Sequence, residues 1–179
     1  MLCLKFPLIL QKQVHLHNIS KSRRIFRKNQ ATLIKKNSSL IQMKRKYYLD
    51  SAIWRDLHEN RHDRFRPLGE WAFELLKKIR ENNEKIIYSN LVLDELSIAY
   101  DKNTIRNLFD SVSEIMEKAS INKEQVIEAK KLSKKLNIPF GDALHSIIAR
   151  DSNAVMVTRD HHFEELQEIA EIRKPEELI

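Results

Sequence analysis

Four carboxylates recur at comparable places along this chain. Asp50 ends the run KYYLD, Glu95 lies within SNLVLDEL, Asp142 opens DALHSIIARDS, and Asp160 follows AVMVT. Carboxylates brought together repel and raise one another's pKa values. A set of this kind makes sense around a hard divalent cation, and Mg²⁺ and Mn²⁺ favour carboxylate oxygens while retaining water. The chemistry this points to is metal-assisted hydrolysis.

Glu95 carries most of that reading. On a helix its surface neighbours are Leu91 and Val92 on one side and Ile98 and Ala99 on the other. A carboxylate amid apolar side chains is costly unless it has a partner; a cation supplies one, and an Arg from elsewhere is the alternative. Asp50 and Asp142 each have a second reading as helix N-caps. Asp160 is explained somewhat better as a cap for HHFEEL than as a ligand. Asp94, beside Asn90 and Ser97, reads as a solvated surface acid.

These residues need elements to hold them. KYYLD (46–50), KIIYS (85–89) and AVMVT (154–158) read as strands, with a short closing strand near AEIRK. Helices are predicted over 51–59, from Pro67 through the amphipathic PLGEWAFELLKKIRENN, around Glu95, over about 102–118 and 122–136, through DALHSIIARDS, and over HHFEELQEI. In the helix after Pro67 the inward residues are expected to be Trp71, Phe73, Leu75, Leu76 and Ile79. Alternating strands and helices predict an α/β fold, a central mostly parallel sheet flanked by helices. In such sheets ligands bind beyond the carboxyl ends of the strands, where these acids fall.

Composition narrows the alternatives. The 179 residues contain two glycines, Gly69 and Gly141. Their separation excludes Gly-rich phosphate loops, which need clustered glycines. Cys3 is the single cysteine, so no internal disulfide forms and a reducing, cytoplasmic setting is expected. No apolar run approaches the ~18 residues of a membrane span. The net charge of +7 is local: residues 1–42 hold nine Lys and Arg and no acid, which leaves 23 bases against 25 acids in 43–179. The chain therefore divides into a basic N-terminal extension, 1–42, and a domain over 43–179. Three readings of the extension stand open: an upstream stretch before a true start at Met43, an organellar targeting peptide, or a basic tail for RNA or a membrane surface.

Two rival motifs are weak. His58-Glu59-Asn60-Arg61-His62 spells HExxH, with zinc-binding histidines and Glu59 as base. Its centre is polar, however, and Pro67 soon ends any helix. A phosphatase with Asp-x-Asp after its first strand is disfavoured by Asp50-Ser51-Ala52. The loop RHDRFR (61–66) offers arginines for phosphates and Phe65 for base stacking, or is a plain polar loop.

YYLDSAIW, SNLVLDEL and IPFGDALHSIIARDSNAVMVTRDHHF together resemble, in order, the three acidic motifs of PIN-domain ribonucleases. The third is the most specific and is similar to the VapC-like toxin branch. The resemblance spans about 46–173. It implies that Asp50, Glu95 and Asp142 are metal-binding acids, with Asp160 as a fourth, more variable one. Ser51 and Thr158 match positions of supporting hydroxyls. It further implies a Mg²⁺- or Mn²⁺-dependent endoribonuclease acting on RNA, a homodimer, and in the toxin branch an antitoxin partner; no membrane association is expected, from the lack of a long apolar run. The alternative is an inactive PIN-like module that binds RNA or a protein. His145, three residues after Asp142, reads as a partly buried structural histidine.

Overall fold

The computed structural model describes residues 44–179; the basic extension expected over 1–42 lies outside the described residues. Five strands form one sheet in the order β3-β2-β1-β4-β5, every neighbouring pair parallel. The strands are β1 (Lys46–Leu49), β2 (Lys85–Tyr88), β3 (Met116–Lys118), β4 (Ala154–Val157) and β5 (Ile172–Arg173). The sheet is thus wholly parallel. β1 lies at its centre, with Tyr48 opposite Ile87 of β2 and Met156 of β4. All four residues of β4 are buried, the near-continuous apolar pattern of a parallel strand covered on both faces.

Six helices flank the sheet: α1 (Ser51–Glu59), α2 (Leu68–Glu81), α3 (Asn90–Ala99), α4 (Lys102–Asp110), α5 (Lys123–Leu136) and α6 (Phe140–Asp151). In α2 the buried face is Ala72, Leu75, Leu76 and Ile79, the spacing of a helical stripe. Phe73 was expected inward but is 56% exposed, because it lies a third of a turn off that stripe. The single helix expected over 102–118 is instead α4, a 3₁₀ turn at Ser113–Ile115, and then β3. β3 pairs along one side only and leaves Glu117 and Lys118 exposed, so its sequence carries no strand pattern. HHFEEL forms 3₁₀ turns at His161–Leu166 rather than an α-helix.

The helix ends follow two rules. Asp101 accepts from the backbone of Asn103 and Thr104 at the start of α4, and Asn122 forms a capping box with Gln125 at the start of α5. Asp50 and Ser89 occupy the same cap position on α1 and α3, yet neither side chain caps. At the opposite ends, Asn60, Asn83, Asn137 and Asn153 take left-handed backbone conformations at or just beyond the ends of α1, α2, α5 and α6. Asparagine tolerates that region better than other non-glycine residues.

Candidate active site at the strand ends

From β1 the chain builds outward through β2 and β3, then returns to place β4 on the other side of β1. The switch therefore falls between β1 and β4, the position where a crevice opens in sheets of this kind. Asp50 and Thr158 face each other across it. Asp50 N–H donates to Val157 O at 3.0 Å, and Thr158 Oγ1 donates to Asp50 Oδ2 at 2.7 Å. Ser51 Oγ donates to Asp50 Oδ1 at 3.3 Å. Both oxygens of this buried carboxylate are thus fixed by hydroxyls, and neither serves the helix behind it.

Glu95 reaches the same place from α3. Its Oε1 lies 3.0 Å from His145 Nε2, and a Cβ built on Gly141 would stand 3.6 Å from that oxygen. Ligand atoms of Asp50, Glu95 and His145 lie within 4.8 Å of one another. The apolar surroundings expected of Glu95 hold on one side only. Val92 is buried, while Ile98 and Ala99 are exposed, so the carboxylate sits at the border of the core with 31% of its side chain exposed. Burial opposes its ionisation, but the hydrogen bonds from His145 and the Ser51 hydroxyl favour it. The net result holds the Glu95 carboxyl below its ordinary range.

Asp142 is the third residue of α6, behind Pro139 at the cap position, so it does not cap that helix. Its Oδ2 is buried without a hydrogen-bond partner and lies 3.5 Å from His162 Nδ1. Burial, then the charges of Asp160 and Asp50, push its carboxyl up to about 6. Asp160 does cap, accepting from His162 N at 3.0 Å, and its own N–H donates to Thr158 Oγ1 at 3.1 Å. Asp160, His161 and His162 form a second, more exposed group of ligand atoms. The tight group at the crevice is therefore Asp50, Glu95 and His145, with Asp142 joined to Asp50 and Asp160 through its charge. His145 enters the site as a hydrogen-bonding member rather than a bystander.

This donor set fits a divalent cation. The carboxylate oxygens are of the kind Mg²⁺ and Mn²⁺ prefer, and the partnerless Asp142 Oδ2 is the sort of buried atom an ion would satisfy. Both nitrogens of His145 are engaged, one by Glu95 and the other by Tyr48 at 2.9 Å. His145 is accordingly a support for the oxygens.

Residues 47–169 match the family model described as PIN domain. The chain belongs to the PIN domain family. None of the curated proteins compared with it matches. Among solved structures, this PIN domain is similar to VapBC2 from Rickettsia felis bound to a DNA fragment from their promoter, with 20% identity, 72% of this chain and 98% of that one covered, and a TM-score of 0.55. A toxin–antitoxin complex from Klebsiella pneumoniae is similar at 16% identity, 72% and 97% coverage and a TM-score of 0.51. FitAcB from Neisseria gonorrhoeae is similar at 14% identity, 74% and 99% coverage and a TM-score of 0.51. At these identities the likeness is one of fold.

The remaining motifs resolve simply in the PIN domain. HExxH does not form a zinc helix, because α1 ends at Glu59 and Asn60 turns left-handed. The His58 ring packs edge-on against Tyr100 with centroids 4.9 Å apart, and Glu59 bonds the Tyr100 hydroxyl and Arg61. In RHDRFR, Arg61 pairs with Glu59 and Asp56 and Arg66 with Asp63, while Phe65 is 92% exposed. Beside the crevice, Thr158, Arg159, Asp160, Arg173 and Lys174 help line a cavity of about 240 Å³. Among the described residues no helix is long and apolar enough to cross a membrane.

Proposed function

We propose that this PIN domain is a Mg²⁺- or Mn²⁺-dependent endoribonuclease, with Asp50, Glu95 and Asp142 as ligands and Asp160 assisting. The observation that carries the reading is the meeting of Asp50 and Glu95 at the switch point, with Asp142, whose Oδ2 is buried and partnerless, close enough to Asp50 to feel its charge. A bound divalent cation supplies charge stabilisation to a phosphodiester under attack by water. The chain's own residues prepare the place for it. Thr158 and Ser51 fix the two oxygens of Asp50, and His145 aims Glu95. Arg173 and Lys174, in the adjoining cavity, are suited to the phosphates of a flanking strand.

The solved neighbours include a toxin–antitoxin complex, which supports reading this chain as the toxin of such a pair, a homodimer held in check by an antitoxin. The test is cleavage of a mixed RNA pool over a series of Mn²⁺ concentrations, for the unaltered chain, Asp142→Asn and Asp94→Asn. Asp142→Asn should lose activity by orders of magnitude, and Asp94→Asn, altered at an exposed acid, should retain it. An active Asp142→Asn enzyme rejects the metal-site reading. An unaltered chain that binds RNA without cutting it is an inactive binding module.

A further inference from the structure

A line of buried polar groups runs from beneath the sheet end to the candidate site. Ser89 Oγ lies 2.7 Å from Tyr48 Oη, which lies 2.9 Å from His145 Nδ1; His145 Nε2 lies 3.0 Å from Glu95 Oε1. Ser89 and Tyr48 are 0% exposed and His145 1%, so bulk solvent does not reach these three groups and meets the line only at Glu95.

The direction of each bond follows from what each group can donate. The Glu95 carboxylate only accepts, so His145 Nε2 carries the hydrogen. In the neutral ring Nδ1 is then a bare lone pair, and the Tyr48 phenol hydrogen fills it. Tyr48 Oη in turn accepts the Ser89 hydroxyl hydrogen. Every hydrogen of the line thus has an acceptor. With both ring nitrogens protonated, the two inner bonds would reverse and the Ser89 hydrogen would have none. In a closed site an unmade bond costs more than a made one contributes. Ser89 adds an independent sign. It sits at the cap position of α3, where a serine ordinarily accepts from the first helical turn, and it makes no such bond.

We propose that Tyr48 is a positioning residue: its hydroxyl anchors the His145 ring at Nδ1, holds Nε2–H against the Glu95 carboxylate and so aims Glu95 at Asp50. The proposal rests on the reading of Glu95 as a cation ligand. Tyr48 touches neither Glu95 nor substrate and acts through His145. Outer partners of metal ligands typically change metal affinity by roughly 10–100-fold when lost.

The substitution Tyr48→Phe removes one oxygen and keeps the ring. Long-range ¹H–¹⁵N spectra of the metal-free protein read the His145 tautomer directly. The unaltered chain should show Nε2–H and a hydrogen-bonded Nδ1, and Tyr48→Phe should keep Nε2–H on Glu95 while the Nδ1 resonance moves to that of a nitrogen without a donor. Mn²⁺ binding, followed by titration calorimetry, should weaken roughly tenfold in Tyr48→Phe. It should be unchanged in Ile79→Val, a core truncation on α2 that controls for lost stability. Ser89→Ala should move the Nδ1 resonance the same way by less, and it gives a second variant if Tyr48→Phe fails to fold. An unaltered chain with His145 as Nδ1–H, its bare Nε2 turned to Glu95, overturns the proposal. So does a Tyr48→Phe protein that keeps both the Nδ1 resonance and the Mn²⁺ affinity. If the unaltered chain binds no Mn²⁺ the metal-site reading fails, while the Nδ1 resonance, compared between that protein and Tyr48→Phe, still decides what Tyr48 does.

Discussion

Thr158 donates to Asp50 across 108 residues of sequence, joining the end of β4 to the end of β1 with a 2.7 Å hydrogen bond. The same hydroxyl accepts from Asp160 N–H. One side chain thereby holds two of the four candidate acids in register. Thr158→Val keeps the shape and removes the hydroxyl. RNA cleavage should drop roughly 10–100-fold, and stability should fall by about 1–2 kcal/mol because Asp50 and the Asp160 amide lose a partner in a buried place. Cleavage at the level of the unaltered chain, measured beside denaturant unfolding, would show that the bond is incidental.

Asp142 gives a pH signature to the metal-free protein. Its carboxyl is pushed up to about 6 from an ordinary 3.8. An acid whose folded pKa is raised binds its proton more tightly in the folded state, so its contribution to stability falls as pH rises from about 4 to about 6. Asp142→Asn lacks the charge that burial opposes, so it should be the more stable of the two above pH 6, by about 1–2 kcal/mol after allowance for solvent screening. Melts at pH 4 and pH 7.5 in chelator measure the difference. An advantage that does not grow with pH would rule out a raised Asp142.

The two glycines should respond in opposite senses. A Cβ on Gly69 would stand 2.6 Å from Asn60 Cα, a backbone atom that has no room to move. Gly69→Ala should therefore destabilise, by about 1–3 kcal/mol, as an overpacked site does. A Cβ on Gly141 meets only Glu95 Oε1 at ordinary contact distance, and the position is helical. Gly141→Ala should gain about 0.5–1 kcal/mol in thermal melts. Melting temperatures that move together would refute this contrast.

Arg159 is 13% exposed, pairs with Asp56 and Glu176, and lies over the Trp71 ring. Burial raises the Asp56 carboxyl despite Arg159 and Arg61 beside it. Desolvation therefore outweighs attraction on the acid's side, so the pair itself adds little net stability. Arg159→Met alone should cost about 2–4 kcal/mol by stranding Asp56, and the double change with Asp56→Leu should recover most of that. A double variant as unstable as the single one would show that the pair is strongly favourable.

The composition break at Met43 leads to a further expectation. A chain beginning at Met43 should melt within a few degrees of the full chain. A large drop would make the extension part of the fold.

The positions of the four acids were legible because each falls just after a strand or in the helix beside one, and the order of strands along the chain is enough to bring such ends together. β3 was not legible: its three residues are defined by pairing with β2, and nothing in MEK demands a strand. The inward setting of Phe73 failed because an apolar side chain records no direction on its own. His145 was visible three residues after Asp142, on the same helix face, but its partners were not. Tyr48 stood only as one residue of the strand KYYLD. The available signal was alternation, since it precedes Asp50 by two along the strand and so shares its side. That Ser89 would leave its helix uncapped to reach Tyr48 is a relation between segments, which no local pattern encodes.

With two glycines in 179 residues, the chain closes four helices on left-handed asparagines instead. The effect reaches the unfolded ensemble. An asparagine samples fewer backbone states than a glycine, so less conformational entropy is lost at each of these turns on folding. The cost is local, a strained dihedral at each helix end, and the gain is spread over the disordered chain. Asn→Gly at Asn60, Asn83, Asn137 or Asn153 would relieve the first and forfeit the second, which makes the fold's thermal tolerance partly a property of the state in which it has no structure.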